Sequence, residues 1–369
     1  MADFLIPSLL IAVGFIVLIA GGEVLVRGAS GMARVMHISP LVVGLTVVAF
    51  CTSCPELAVC LQAAFAGKAD FAVGNIVGSC ICNILLVLGL SALVGALVVR
   101  ARLVWLEVPL MILAAVLTLV FGVNGTIGRV DGLIFLAFLI GYMVWTVIAS
   151  RRESKVVKEE LAKLGGAQVT TSWLGVLGFF SLVIVGVTLL VVASDWLVDG
   201  ASDIARLLGV SELMIGLTIV AIGTSLPEVA TCVIASLRGE RDIAVGNVVG
   251  SNIMNILAVL GMSAVIAPDG IGVSETALHR DIPVMIVVSF ACLPIFFTGH
   301  RIERWEGGLF LVYYVVYLVY LVLAEINAVA ARELGMVVVI FAIPLTAITL
   351  LVLLLRSLRP AEDVEAEGK

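Results

Sequence analysis

What limits this chain most is a succession of apolar runs, each long enough to cross a lipid bilayer. A bilayer core of about 30 Å takes about 20 apolar residues in helical form. Such runs lie near residues 4–26, 40–64, 71–96, 103–121 and 131–149. A polar stretch, RRESKVVKEELAKLGG at 151–166, interrupts them. Further runs follow near 173–198, 211–236, 243–267, 282–298, 308–324 and 335–355. Lipid offers no partner to backbone N–H and C=O groups, so segments of this length cross it as helices. The composition agrees, with 62% hydrophobic residues, 13% charged and a mean hydropathy of +1.23. Soluble chains run near 45–50% apolar and about 25% charged. This excludes a cytosolic enzyme, a secreted disulfide scaffold and a nucleic-acid binder. The expected class is an all-α polytopic membrane protein. The first run has no basic leader and is too long for a signal-peptide core, so it reads as a span.

Cytoplasmic loops carry the excess of Lys and Arg. Taken alternately, one set of loops holds 16 of the 21 basic residues; the other holds Lys68, Arg129, Arg206, Arg280 and Arg332. The first set includes Arg27, Arg34, Arg100, Arg102, the linker's five, Arg238 and Arg241. This predicts a multi-pass protein of the cell (inner) membrane, with the N-terminus outside and both linker and C-terminal tail cytoplasmic.

The chain also contains itself twice. Shifted by 172 residues, CTSCPELAVC (51–60) falls on GTSLPEVATC (223–232), and VGNIVGSCICNILLVLG (73–89) on VGNVVGSNIMNILAVLG (245–261). Between Gly44 and Ser91 about 60% of positions match their partners. A repeated unit of five spans enters the membrane once in each orientation, which gives an inverted repeat of the kind transporters use. The expected division is a first five-helix unit at 1–150, a linker at 151–172, a second unit at 173–324, and an eleventh helix with an acidic tail at 325–369. Helix packing alone would explain the repeated glycines. It does not explain a repeated acid.

Glu56 and Glu228 are those acids, each following a proline in the middle of an apolar run. A carboxylate at mid-bilayer costs at least about 2.5–3.5 kcal/mol. Pro55 and Pro227 break or kink their helices, and freed carbonyls are tolerated at that depth only where they line a cavity or pack in protein. Thr52, Ser53, Thr224 and Ser225 add hydroxyls beside them. On the next run of each half, Asn75, Ser79 and Asn83 repeat as Asn247, Ser251 and Asn255, a spacing of four that places each set on one helical face. The deeper Ser79, Asn83, Ser251 and Asn255 read as ligands; Asn75 and Asn247 read equally as interhelical hydrogen bonds. The set is all hard oxygen, suited to Ca2+ or Na+, with no Cys/His set for Zn2+. The seven cysteines, Cys51 and Cys54 of a CxxC among them, lie in apolar runs and read as packing residues.

The doubled CTSCPE/GTSLPE and GNIVGSCICN/GNVVGSNIMN segments resemble the α-repeats of the cation/Ca2+ exchanger superfamily, in its prokaryotic calcium/sodium antiporter branch. The resemblance covers residues 1–324. It implies ten core helices, with broken second and seventh helices and the third and eighth around the site, and first and sixth helices that slide across this core. It also implies Glu56 and Glu228 as central ligands, oxygens from Thr52, Ser53, Ser79, Thr224, Ser225 and Ser251, and flanking Na+ sites at the carbonyls near Ala49 and Ala221. Three positions depart from the family pattern: Cys51 replaces a usual Gly, the eleventh helix is additional, and Asn255 stands where many members carry Asp. The expected function is antiport of Ca2+ against Na+, these being the transported ions, with no organic cofactor, no ATP site and no obligate protein partner beyond membrane lipid. The alternative is a Ca2+/H+ exchanger using the same two glutamates. A channel would show no counter-ion requirement. An intramembrane hydrolase would have to use Asp195 and Asp199, which lie near a span end.

Overall fold

The computed structural model describes residues 2–36, 38–65, 69–163, 173–297 and 300–357, and nearly all of them are helical. Linker residues 164–172 and the acidic tail lie outside the described residues. Among the described residues, ten helices are long and apolar enough to cross a membrane. The first six are α1 (Ala2–Met36), α2 (Pro40–Phe65), α3 (Phe71–Val94), α4 (Leu103–Gly122), α5 (Arg129–Lys163) and α6 (Trp173–Leu207). The seventh span, α7, comes in pieces: Glu212–Ile215, Gly216–Val220, Ala221–Gly223 and, past a break, Leu226–Leu237. It is therefore not among the ten. The rest are α8 (Arg241–Ile266), α9 (Ala277–Phe297), α10 (Arg304–Ile326) and α11 (Ala328–Thr349). The all-α inverted-repeat architecture read from the sequence holds. α3 and α8 are the most enclosed spans, and α11 is the most open to lipid.

Some boundaries move for local reasons. α1 and α6 run on past 26 and 198 as 35-residue helices. Glu23 and Arg27, which resemble a span end, pair across one turn at 2.6 Å and extend the helix instead. α5 continues into the charged stretch as far as Lys163, because Glu, Lys, Arg and Leu are good helix formers. α1 and α6 lie against each other through small residues. A Cβ on Gly28 would come within 2.8 Å of the Val183 backbone, and one on Gly186 within 2.6 Å of Leu25. Close approach of this kind is how helices bind in lipid.

Two features repeat between the halves. Wide π-helical turns occur in pairs at Gly44–Val48 and Gly216–Val220, Asn83–Leu88 and Asn255–Leu260, and Leu103–Glu107 and Ala277–Asp281. Such turns concentrate at functional sites. Four two-residue strands, β1 (Leu97–Val98), β2 (Thr126–Ile127), β3 (Ile271–Gly272) and β4 (Arg301–Ile302), pair antiparallel as β1 with β4 and β2 with β3. Each ribbon takes one strand from each half.

Candidate functional site

The site forms where α2 and α7 break. Helix α2 is interrupted at Ser53 (φ −80°, ψ 0°) and resumes as Cys54–Phe65; α7 is interrupted at Ser225 (φ −94°, ψ 4°) and resumes as Leu226–Leu237. Pro55 and Pro227 stand in the first turns of the resumed helices, where a missing N–H costs nothing. Glu56 and Glu228 each come third in those helices. A helix N-terminus carries partial positive charge, which favours a carboxylate there. The sequence thus places each acid where a broken helix can tolerate it.

Both glutamates are fully buried, and each lies within electrostatic reach of the other. The Thr52 hydroxyl lies beside Glu228 and each acid's own backbone N–H beside its carboxylate, but none of the four carboxylate oxygens has a partner in full hydrogen-bond geometry. Two like charges inside a membrane protein, with no base between them, need an external cation or a proton to be stable. On the same and the following helices, the hydroxyls of Ser53 and Ser79 and the amide oxygens of Asn83 and Asn255 are also buried without partners, and the Ser225 hydroxyl is buried beside Cys82. Serine at a helix start ordinarily caps backbone N–H groups; Ser225 makes no such bond. Among the described residues, no three His, Cys, Asp or Glu side chains cluster as a metal site. Any cation here would be held by two carboxylates and neutral oxygens.

The other expected residues take more varied places. Thr52 is buried and bridges the halves: its hydroxyl donates to Asn247 Oδ1 at 3.2 Å and lies 3.3 Å from Ser251 Oγ and beside Glu228. Asn247 is thereby a link between helices, its amide also donating to Cys232 Sγ at 3.2 Å. Asn75 donates to Cys60 Sγ at 3.6 Å and is only half-buried. Thr224 is half-buried. The carbonyl of Ala49 accepts from Ser53 N at 3.1 Å and lies 3.4 Å from Thr52 Oγ1. In the other half, Ser225 N turns to Ile222 rather than to Ala221. All seven cysteines are free thiols, five of them buried.

Asn252 went unnoticed at the sequence level. It donates to the Cys80 carbonyl at 3.3 Å and accepts from Asn83 Nδ2 at 3.1 Å. The available signal was the mismatch of Cys80 with Asn252 inside an otherwise matching repeat.

Helix packing around the site differs between the two halves. The first half of α2 is seated on α8: a Cβ on Gly250 would lie 2.7 Å from the Leu45 carbonyl, and one on Gly246 2.8 Å from that of Leu41. The repeat partners Gly78 and Gly74 on α3 have no described atom within 4 Å of such a Cβ. Helix α1 covers Ala230 and Ile234 of α7, whereas their partners Ala58 and Gln62 on α2 are exposed. One face is tightly packed and the other is parted, while both glutamates stay fully buried.

The chain is similar to known proteins over most of its length. Residues 6–148 and 178–323 match the family model described as sodium/calcium exchanger protein. The sodium/calcium exchanger MaX1 of Methanosarcina acetivorans is 31% identical over 83% of this chain and 96% of its own length. The inner membrane protein YrbG of Escherichia coli is 39% identical over 77% and 87%. A solved structure of the sodium-calcium exchanger NCX_Mj, soaked with 2.5 mM Na+ and 0.1 mM Ca2+, shares the fold with a TM-score of 0.71 at 30% identity, over 85% of this chain and 98% of that one. The chain belongs to the sodium/calcium exchanger family.

Proposed function

We propose that this chain exchanges Ca2+ against Na+ at one shared site centred on Glu56 and Glu228. Its family makes it a cation/Ca2+ antiporter rather than an enzyme. The observation that carries the finer reading is the pair of fully buried carboxylates within electrostatic reach of one another and with no base beside them. Two negative charges balance one Ca2+ or two Na+. Left empty, the pair is costly to carry through the membrane, so one load leaves as the other arrives. Ser53, Ser79, Ser225, Ser251, Thr52, Thr224, Asn83 and Asn255 would complete the shells with neutral oxygens, and the carbonyls near Ala49 and Ala221 would hold flanking Na+. Relatives named as sodium/calcium exchangers, one of them solved in Na+ and Ca2+ soaks, support Na+ as the counter-ion.

The parted face is the one at the end of α2 and the start of α3. By the basic-residue bias that face is external, so the helices are packed tightly on the cytoplasmic side and loosely on the outer side, with both glutamates enclosed between them. Proteoliposomes loaded with Ca2+ and given Na+, H+ or K+ gradients singly test the reading. An inward Na+ gradient alone should drive Ca2+ out. Efflux that follows only a pH gradient would replace Na+ by H+ as the counter-ion. Glu56→Gln and Glu228→Gln should each lower flux at least about 100-fold, and unchanged flux in both would remove the site.

A further inference from the structure

The amide network between the halves makes the two asparagines of the site unequal. Position 252 of α8 is the repeat partner of position 80 of α3, and these two residues meet each other. Asn252 Nδ2 donates to the Cys80 carbonyl at 3.3 Å and approaches Met111 Sδ at 3.5 Å. A carbonyl oxygen can only accept, so the amide nitrogen of Asn252 has to face it, and the amide oxygen faces the other way. That oxygen accepts from Asn83 Nδ2 at 3.1 Å. The direction of each bond fixes the next, and Asn83 is left with its Oδ1 buried and without a donor. An amide offers a cation only its oxygen.

The repeat-related corner lacks this device. Cys80 stands where the amide would be, and its thiol lies 4.0 Å from the Asn252 carbonyl. Both amide atoms of Asn255 are buried without partners. Nothing there selects oxygen over nitrogen.

We propose that Asn252 is a positioning residue that presets the Asn83 side-chain oxygen toward the transported cation, while Asn255 is turned only by the cation itself. The inference rests on Asn83 being a ligand, as the proposed function has it. A preset ligand binds more tightly because its orientation is fixed before the cation arrives.

The test measures Ca2+ uptake by full-length protein in liposomes, reading the half-saturating Ca2+ concentration and the maximal rate separately. Asn252→Cys copies the residue the other half carries. It should raise half-saturation about fivefold, with the maximal rate held within about twofold. In an Asn83→Ala background the same change should add nothing, because its effect runs through Asn83. Should Asn252→Cys fail to fold, Cys80→Asn gives Asn255 the missing partner and should lower half-saturation about threefold. Unchanged half-saturation in the folded variant, or an equal effect of Asn252→Cys with Asn83 removed, overturns the positioning role. If Asn83→Ala alone leaves half-saturation unchanged, it is the ligand role that has failed, and this inference with it.

Discussion

A methyl group placed on Gly44 would meet the Ile243 carbonyl at 2.8 Å, and one on Gly250 the Leu45 carbonyl at 2.7 Å; on their repeat partners Gly216 and Gly78 it would meet no described atom within 4 Å. The residues are the same on both sides and so is the local helix, yet one half is closed against its neighbour and the other stands apart. Local sequence therefore does not decide which face is shut. The long helices do, since α1 covers α7 at Ala230 and Ile234 while Ala58 and Gln62 of α2 are exposed. A molecule whose halves share this core sequence at the site can exchange these two packings, which is what opening the site to either side requires.

The widest break in that comparison comes at Gly78. Gly78→Val meets no clash in the parted arrangement, but it should prevent α3 and α7 from closing as α8 and α2 do. We expect Ca2+ flux to fall more than about tenfold with little change in thermal stability. Flux near wild type would mean that the parted face never adopts the tight packing. Gly250→Val puts the same side chain on the closed side. Overpacking costs about 1–3 kcal/mol, so its melting temperature in detergent should drop by roughly 2–10 °C, and the contrast between the two variants is the sharper result.

A smaller effect is expected from the threonines. Thr52→Val removes a buried link to Asn247 and Ser251, worth about 1 kcal/mol. It should destabilise the protein more than Thr224→Val, whose residue is half-buried; equal losses would argue that the two corners are alike. Smallest of all is the ion pair that fastens the closed face. Glu23 of α1 pairs with Arg238 at the end of α7 as well as with Arg27, while the repeat partners of Glu23, Arg27 and Arg238 are Asp195, Asp199 and Ala66. Partly exposed pairs contribute about 0.2–1 kcal/mol. Arg238→Gln should thus shift the ratio of outward to inward accessibility by no more than about fivefold, measured by labelling from each side.

Much of this was legible beforehand because lipid leaves a chain few choices. Runs of about 20 apolar residues become helices, and an acid retained in both copies of a repeat marks a shared site. The Ser-x-Pro-Glu order also announced the breaks at Ser53 and Ser225. Four things were not legible. The π turns at Asn83 and Asn255 carry no residue pattern that separates them from ordinary helix. The extension of α1 past residue 26 was hidden because Glu23 and Arg27 look like a span end until their pairing is seen. The difference between the halves was unreadable in principle, since Gly74, Gly78, Gly246 and Gly250 are one residue type in two settings. Asn252 was missed for another reason: its role depends on a contact between repeat partners that only the crossing of α3 and α8 creates.

The paired strands β1 with β4 and β2 with β3 bear on how the protein is held together. Each short ribbon is sewn from the two halves of the chain, and the glutamates likewise come one from each half. The covalent thread through the middle is thus a minor part of the union. Two separately made halves are expected to rejoin provided they enter the bilayer upside down relative to one another.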